Sequence, residues 1–465
     1  MIIDRYDPMN LFDLVPQLKL ELEPILAELD GLLDDDALFQ QVKADLARRA
    51  PHSLICGRHS TPVEVVLRML VVRRLYDWTY AETEQLVSDS LVLRQFCRLY
   101  LAPAPDDSTL IRWAGLIGPT TLEQIHARVV LLARQAHVTR GRKLRTDGTV
   151  VATAIHHPTD SSLLADGVRV LSRLIGRAQT VVGEAATAGR AVFRDRTHSA
   201  KRWARQIAET TRQRGEAMAE KRSAAYERLA AVTEASLQQA VQVLRLLAAT
   251  PGATADALRR QVDHFVPLVE QVLDQACRRV FAGESVPAGN KLVSLFEPHT
   301  QIIRRGKLDR PTEFGRKVWL DEVDGGIISR YAVLAGNPAD ASQVVPALRQ
   351  HQRLFDHPPA VFATDRGMYT AENELLAHQL GVKFVAVPQP GATSAQRHSY
   401  QRQRWFRRAQ CFRAGAEGRI SVLKRRGNLG RCRDHGDAGF QRWIGWGVIT
   451  ANLTTIARAR GAHAA

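Results

Sequence analysis

The stretch KVWLDEVDGGIISRYAVLAG, Lys317 to Gly336, reads as two strands folded back on each other around Asp324-Gly325-Gly326. An Asp-Gly step supplies the left-handed backbone that a tight β-turn needs, and the flanking apolar residues supply the strands. Downstream, Val361 to Thr364 is a short apolar strand that runs straight into Asp365. A helix follows over about Ala371 to Leu380, then a further strand in VKFVAVP, Val382 to Pro388. Upstream, RKLRTDGTVVATAIHHPTD (Arg142 to Asp160) is β-rich at Val150, Val151 and Thr153 and turns at Pro158. Thr159 or Asp160 is placed to cap the next helix, SSLLADGVRVLSRL. Strand, helical block, hairpin, strand, helix, strand, helix is the order of a mixed α/β fold carrying a helical insertion.

The chain has 465 residues, 45% of them hydrophobic, so two or three domains are expected. Lys and Arg number 64 against 48 acids, a net charge of +16. That excess favours a polyanionic partner, nucleic acid before acidic membrane. The five cysteines form no CxxC pair, which argues against a structural zinc site and a disulfide framework and for reduced thiols in a cytoplasm. No apolar run is long enough to span a bilayer, and the first residues carry acids rather than the basic start of a signal peptide.

Residues 1–138 read as an N-terminal helical domain. Leu67, Leu70, Val71 and Leu75 recur at helical spacing, with Pro62 suited to the first turn. Tyr76 to Thr79 breaks that helix, and a second opens at Thr79 or Ala81 and runs through Leu86. The pattern fits a helix-turn-helix and an ordinary helical hairpin alike. In PAPDDSTLIRW, Asp107 or Ser108 is the expected cap of another helix. Residues 169–292 read as a long helical insertion between the first and second core strands, leaving 139–168 and 293–460 as the core. Its part from Arg190 to Arg222 holds ten Lys or Arg against four acids, which fits a solvated helix pair or a surface that tracks phosphates.

The acid at the end of an apolar strand is costly unless something positive meets it. Asp147, in LRTDGTVV on the first core strand, would share a pocket with Asp365 if the two strands are neighbours. Hard divalent cations take carboxylate oxygens and keep room for substrate phosphates, and a pair of such ions can clamp a phosphodiester exchange. A third acid, Glu417, is the one acid among twelve Lys or Arg from Arg397 to Arg433. On a helix Arg413, Glu417 and Lys424 fall on one narrow face beside an apolar stripe of Phe412, Ala416, Ile420 and Leu423. The cations suit a phosphate chain and the acid suits a metal. Other groups have plainer readings. His156-His157 points two ways and fits polar surface, Asp160 fits a helix cap, and Trp443 and Trp446 fit core anchors. Asp321 and Glu322 fit either support of a site or solvated surface; Glu372 and Glu374 are rivals of Glu417 for the third acid.

The strings PDDSTLIRW, TDGTVVATAIHHPTDSSLLADGVR, PTEFGRKVWLDEVDGGIISRY, ATDRGMYTAENE, EGRISVLKRRGNLGRC and WIGWGVITANL together resemble the DDE-type transposases of bacterial insertion sequences, close to the ISNCY-like group. The resemblance implies an RNase H-like core in which Asp147, Asp365 and Glu417 hold two Mg2+ ions, with Mn2+ as a substitute. It implies cleavage at the ends of a mobile element followed by strand transfer. It implies DNA as the partner (element ends and target), with the N-terminal helices recognising ends and the chain acting as a dimer or higher assembly in a bacterial cytoplasm, at the nucleoid when DNA-bound. The related pattern Y-x2-R-x3-E-x6-K falls on Gln410, Arg413, Glu417 and Lys424, with Gln410 where the pattern has Tyr. Arg413, Lys424, Arg425 and Arg426 are the implied DNA-backbone contacts. A DNA-binding protein that has lost the chemistry, or a nuclease of the same fold that never joins strands, are the alternatives.

Overall fold

The computed structural model describes residues 2–6, 21–48, 51–56, 60–183, 190–304 and 311–464. The strands in chain order are β1 (Lys143–Ala152), β2 (Gln301–Arg304), β3 (Thr312–Val323), β4 (Ile327–Val333), β5 (Val361–Ala363) and β6 (Phe384–Ala386). β3 and β4 pair antiparallel across Asp324–Gly326, as the sequence predicts. Gly325 has φ +80°, and a Cβ there would run into the carbonyl oxygen of Val138. Both the backbone sign and the close approach therefore demand glycine. The Asp324 carboxylate accepts the backbone N–H of Arg140 at 3.0 Å and of Lys143 at 2.9 Å, so the turn also fixes the start of β1.

The chain divides into two compact units, residues 1–152 with 316–465 and residues 153–315. In the first, the strands lie in the order β4-β3-β1-β5-β6, with β1 in the middle. β1 runs parallel to β5, and β5 parallel to β6. The fold is thus mixed α/β. The long helix Arg404–Arg426 packs on β1, β5 and β6. The helix Gly436–Ala464 packs on β4 and on the N-terminal helices Pro24–Leu33, Val63–Leu75 and Pro119–Gln135. Trp443 and Trp446 are buried in these packed layers, as core anchors.

The helix Val63–Leu75 is buried along almost its whole length, arginines included. A helix buried on every side is an interior element, so it offers no face for reading a DNA groove. The next helix, Tyr80–Asp89, starts with a capping box between Thr79 and Glu82. Asp106, one residue before the expected positions, caps Asp107–Leu116. Its carboxylate reaches the N–H of Thr109 at 2.7 Å, three residues on, which is the distance an N-cap must span.

His126 and His351 are buried, and burial pushes both imidazoles down to about 4. His126 Nε2 lies 2.7 Å from the Ile328 carbonyl, so it carries the proton and donates. Between pH 6.5 and 4 the unfolded chain binds protons that the folded chain refuses, so stability falls as pH falls through that window. Going from pH 6.5 to 5 is expected to cost about 1.5 kcal/mol for each histidine. Urea melts at the two pH values check this, and His126→Gln should remove about half of the loss.

The second unit holds the helices Asp160–Val182, Thr197–Thr211, Glu216–Ala249 and Ala253–Val280 around their own apolar core. Thr159, rather than Asp160, caps the first of them. Asp160 instead pairs with Arg279. β2 pairs with residues 312–315, and Thr153 donates its N–H to the carbonyl of Phe314 at 3.3 Å, so the two ends of this unit meet.

Candidate active site

Three elements of the first unit converge on one point. The parallel register aligns Lys143 with Val361, Leu144 with Phe362 and Arg145 with Ala363. Two residues further along each chain stand Asp147 and Asp365, level with one another. Side chains on a strand alternate in direction, so Arg145 and Asp147 share a face, while Leu144 and Thr146 share the other. The first face is the one covered by the helix Arg404–Arg426. Ala363, Ala386, Phe406 and Ala409 form the apolar contact between that helix and the strands. Gln410 fixes its height: its amide donates to the carbonyls of Ala386 at 2.7 Å and Thr364 at 3.3 Å, at the strand ends. One turn on from Ala409 comes Arg413, and one turn further Glu417.

Arg413 binds all three acids. Its Nη2 lies 3.4 Å from Asp147 Oδ2 and 3.8 Å from Asp365 Oδ2, and its Nη1 lies 3.1 Å from Glu417 Oε1. The positive partner that the strand-end acid requires is therefore, in this structure, a guanidinium. Asp147 is mostly buried and Glu417 mostly exposed, with Asp365 between. Burial raises the Asp147 carboxyl, Arg413 and the Gly148 N–H oppose that, and the other two acids add to it. Asp365 Oδ1 also accepts the Gly367 N–H at 2.6 Å, which closes the turn after β5. Among the described residues no three His, Cys, Asp or Glu side chains are grouped closely enough to hold a metal ion as they stand. The donor set itself, carboxylates converging on a cationic nitrogen, has the chemistry that a hard divalent ion takes.

Beneath this cluster lie residues that sequence reading left undecided or did not single out. Asp321 and Glu322 are both buried, so neither is solvated surface. Glu322 forks onto Arg145, at 2.9 Å to Nε and 2.8 Å to Nη2, and Arg145 also donates to the Phe412 carbonyl. That places a fully bonded arginine between β3, β1 and the long helix, two residues from Asp147. Gly415 lets the helix come this close, since a Cβ there would overlap the Arg145 guanidinium. On the opposite face Asp321 accepts from Thr146 at 2.6 Å, from Trp319 Nε1 at 2.9 Å and from Arg330 at 3.1 Å. Burial raises both the Asp321 and Glu322 carboxyls against the pull of these partners. Only strand alternation on LRTD and WLDE hinted at the pairing.

The rival acids stay out of the cluster. Glu374 is forked by Arg397 at 2.7 and 3.0 Å, and Glu372 is exposed in the first turn of its helix. Lys424, Arg425 and Arg426 occupy the last turn of the long helix, about two turns beyond Glu417. Arg425 and Arg426 are exposed, and cations at a helix C-terminus also favour the helix dipole. His156 is exposed, 3.5 Å from Asp166, in keeping with polar surface.

The second unit has a cavity of its own, about 1050 Å³ in volume. Arg212, Arg222, Arg279, Lys291 and Arg304 line it together with Phe314. Of these five cations only Arg279 has an acid partner among the described residues. No helix is long and apolar enough to cross a membrane among the described residues.

No curated protein and no solved structure matches the chain. Residues 11–115 match the family model described as transposase domain (DUF772), so that part of the chain is similar to a transposase domain.

Proposed function

We propose that this chain is a DDE-type transposase of an insertion sequence, of the ISNCY-like group, with an RNase H-like core that cuts element ends and joins them to target DNA. The observation that carries the reading is the meeting of Asp147, Asp365 and Glu417 at one arginine, from the middle strand, the end of its parallel neighbour and the helix across them. The strand order β4-β3-β1-β5-β6, with β1 parallel to β5 and β5 parallel to β6, supports the core. The transposase-domain match over residues 11–115 supports the biology.

In this reading Asp147, Asp365 and Glu417 hold two Mg2+ ions, and Mn2+ serves in their place. Bound there, the ions supply Lewis-acid activation of the attacking oxygen and stabilise the leaving one. The protein's own share is positioning. β1 and β5 hold two carboxylates level, Arg145 and Glu322 brace β1 against the helix, and Gln410 sets the helix height. Arg413, Lys424, Arg425 and Arg426 present positive charge along one helix to the DNA backbone, the term that dominates DNA affinity. The cavity of the helical unit, with four cations unmatched by acids among the described residues, offers a second stretch of phosphate contacts. Residues 1–138 serve end binding and assembly, residues 169–292 are an insertion between the first and second core strands, and the chain works as a dimer or higher on DNA.

The test uses labelled duplex carrying the DNA that flanks the coding region, incubated with the purified chain, Mg2+ and a supercoiled target. Nicked ends together with joined products are the expected result. Cleavage with no joining would make the chain a nuclease, and a shifted but intact duplex would make it a binding protein.

A further inference from the structure

Arg145 and Arg413 sit on the same face of the sheet and are used differently. Arg145 spends all three guanidinium nitrogens on Glu322 and the Phe412 carbonyl. Arg413 leaves its buried Nε without a partner. Its reach to Asp147 and Asp365, 3.4 and 3.8 Å, is longer than the 2.7–2.9 Å of a well-made charge-assisted bond. One guanidinium also faces three carboxylates, which leaves negative charge in excess. Arg145 is a brace; Arg413 is held more loosely where the carboxylates meet, by a 3.1 Å hydrogen bond to the exposed Glu417, a long one of 3.4 Å to Asp147, and charge alone at Asp365.

We infer that Arg413 is a resident counter-ion that competes with the divalent cation for Asp147, Asp365 and Glu417, so that loading the ion requires the guanidinium to leave. This rests on the metal reading above and adds an order of events to it. Without the ion, Arg413 keeps like charges from repelling and so holds β1, the β5 end and the helix together. With the ion, the same side chain is released on the helix face that already carries Lys424, where DNA phosphate is its natural partner. The site is then stable when empty, and its cationic contact to DNA becomes available only after the metal is in place.

The test is Mn2+ binding, followed by the electron paramagnetic resonance signal of free Mn2+, to the wild-type chain, Arg413→Gln, Arg413→Lys and Asp365→Asn. Arg413→Gln is expected to bind Mn2+ about tenfold tighter than wild type. Arg413→Lys should fall between them, and Asp365→Asn should bind weakest. In parallel, Mn2+ should raise the melting temperature of Arg413→Gln more than that of wild type, from a lower starting value, because removing the guanidinium leaves the acids opposed. That melt also shows whether the variant folds. Equal or weaker binding by a folded Arg413→Gln, with wild type still binding, overturns the competition and leaves the metal reading standing. No binding by any variant overturns the metal reading, and the competition with it.

Discussion

Replacing Asp365 with asparagine is expected to lower end cleavage by roughly a thousandfold or more, while duplex binding in a gel shift stays close to wild type. In the proposed function a metal held by these acids would supply several kcal/mol of transition-state stabilisation, and each 1.36 kcal/mol is a tenfold change in rate. Asparagine is the right substitution because Asp365 has a second task. Its Oδ1 accepts the Gly367 N–H, and an amide oxygen can do the same. Alanine would lose the charge and the turn together and so confuse chemistry with folding. Asp365 is also the more exposed of the two aspartates at Arg413, so the swap disturbs little packing. Cleavage that survives in Asp365→Asn would remove this residue from the chemistry; loss of DNA binding along with cleavage would make its role structural.

The largest expected effect on stability lies elsewhere, at Arg68. Its side chain is wholly buried and meets Asp30 at 2.6 Å, Asp34 at 2.8 Å, Glu64 at 3.0 Å and the Phe96 carbonyl at 3.1 Å. Arg68→Met fills the space but takes from the buried Glu64 its nearest cation, leaving it only the longer contacts to Arg5 at 3.4 Å and Arg98 at 3.8 Å. Breaking one side of a buried ion pair costs about 3–5 kcal/mol, chiefly through the charge left behind. Removing that charge as well, in Arg68→Met with Glu64→Leu, should recover a large part of the loss, since an apolar pair can replace a buried ionic one. Chemical denaturation of the three chains measures the two steps. A double variant as unstable as the single one would show that the arginine matters for its other partners.

What the sequence made legible is what local chemistry controls. The Asp-Gly-Gly turn, the strand at Val361, the helix after it and a cap at Thr159 or Asp160 are each set by a few adjacent residues. The level placement of Asp147 and Asp365 was only conditional, because it depends on β1 and β5 being neighbours, and no local pattern fixes a parallel pairing. The pairing of Arg145 with Glu322 escaped notice for the same reason. They are far apart in the chain, and each alone looks like a surface charge on a strand. Asp321 and Glu322 show the limit well: two adjacent acids, one facing the long helix and the other Thr146 and Trp319, both buried and both satisfied by residues from other elements. Gln410 was visible only as a departure from an aromatic pattern; its bonds to the strand ends appear once the helix is laid across the sheet.

The meeting of Thr153 with Phe314 bears on how such a chain assembles. β1 and β3 are neighbours in the sheet but are separated by the whole helical unit, and closing so long a loop in a disordered chain is slow and entropically costly. Helices with their own apolar core can form from contacts nearer in sequence. Once they have done so, their two ends lie within a hydrogen bond of each other, and the loop that the sheet must close has in effect shrunk to a short tie. A helical unit that forms first would thus draw together the two chain ends that leave it and shorten the loop that strand pairing must close.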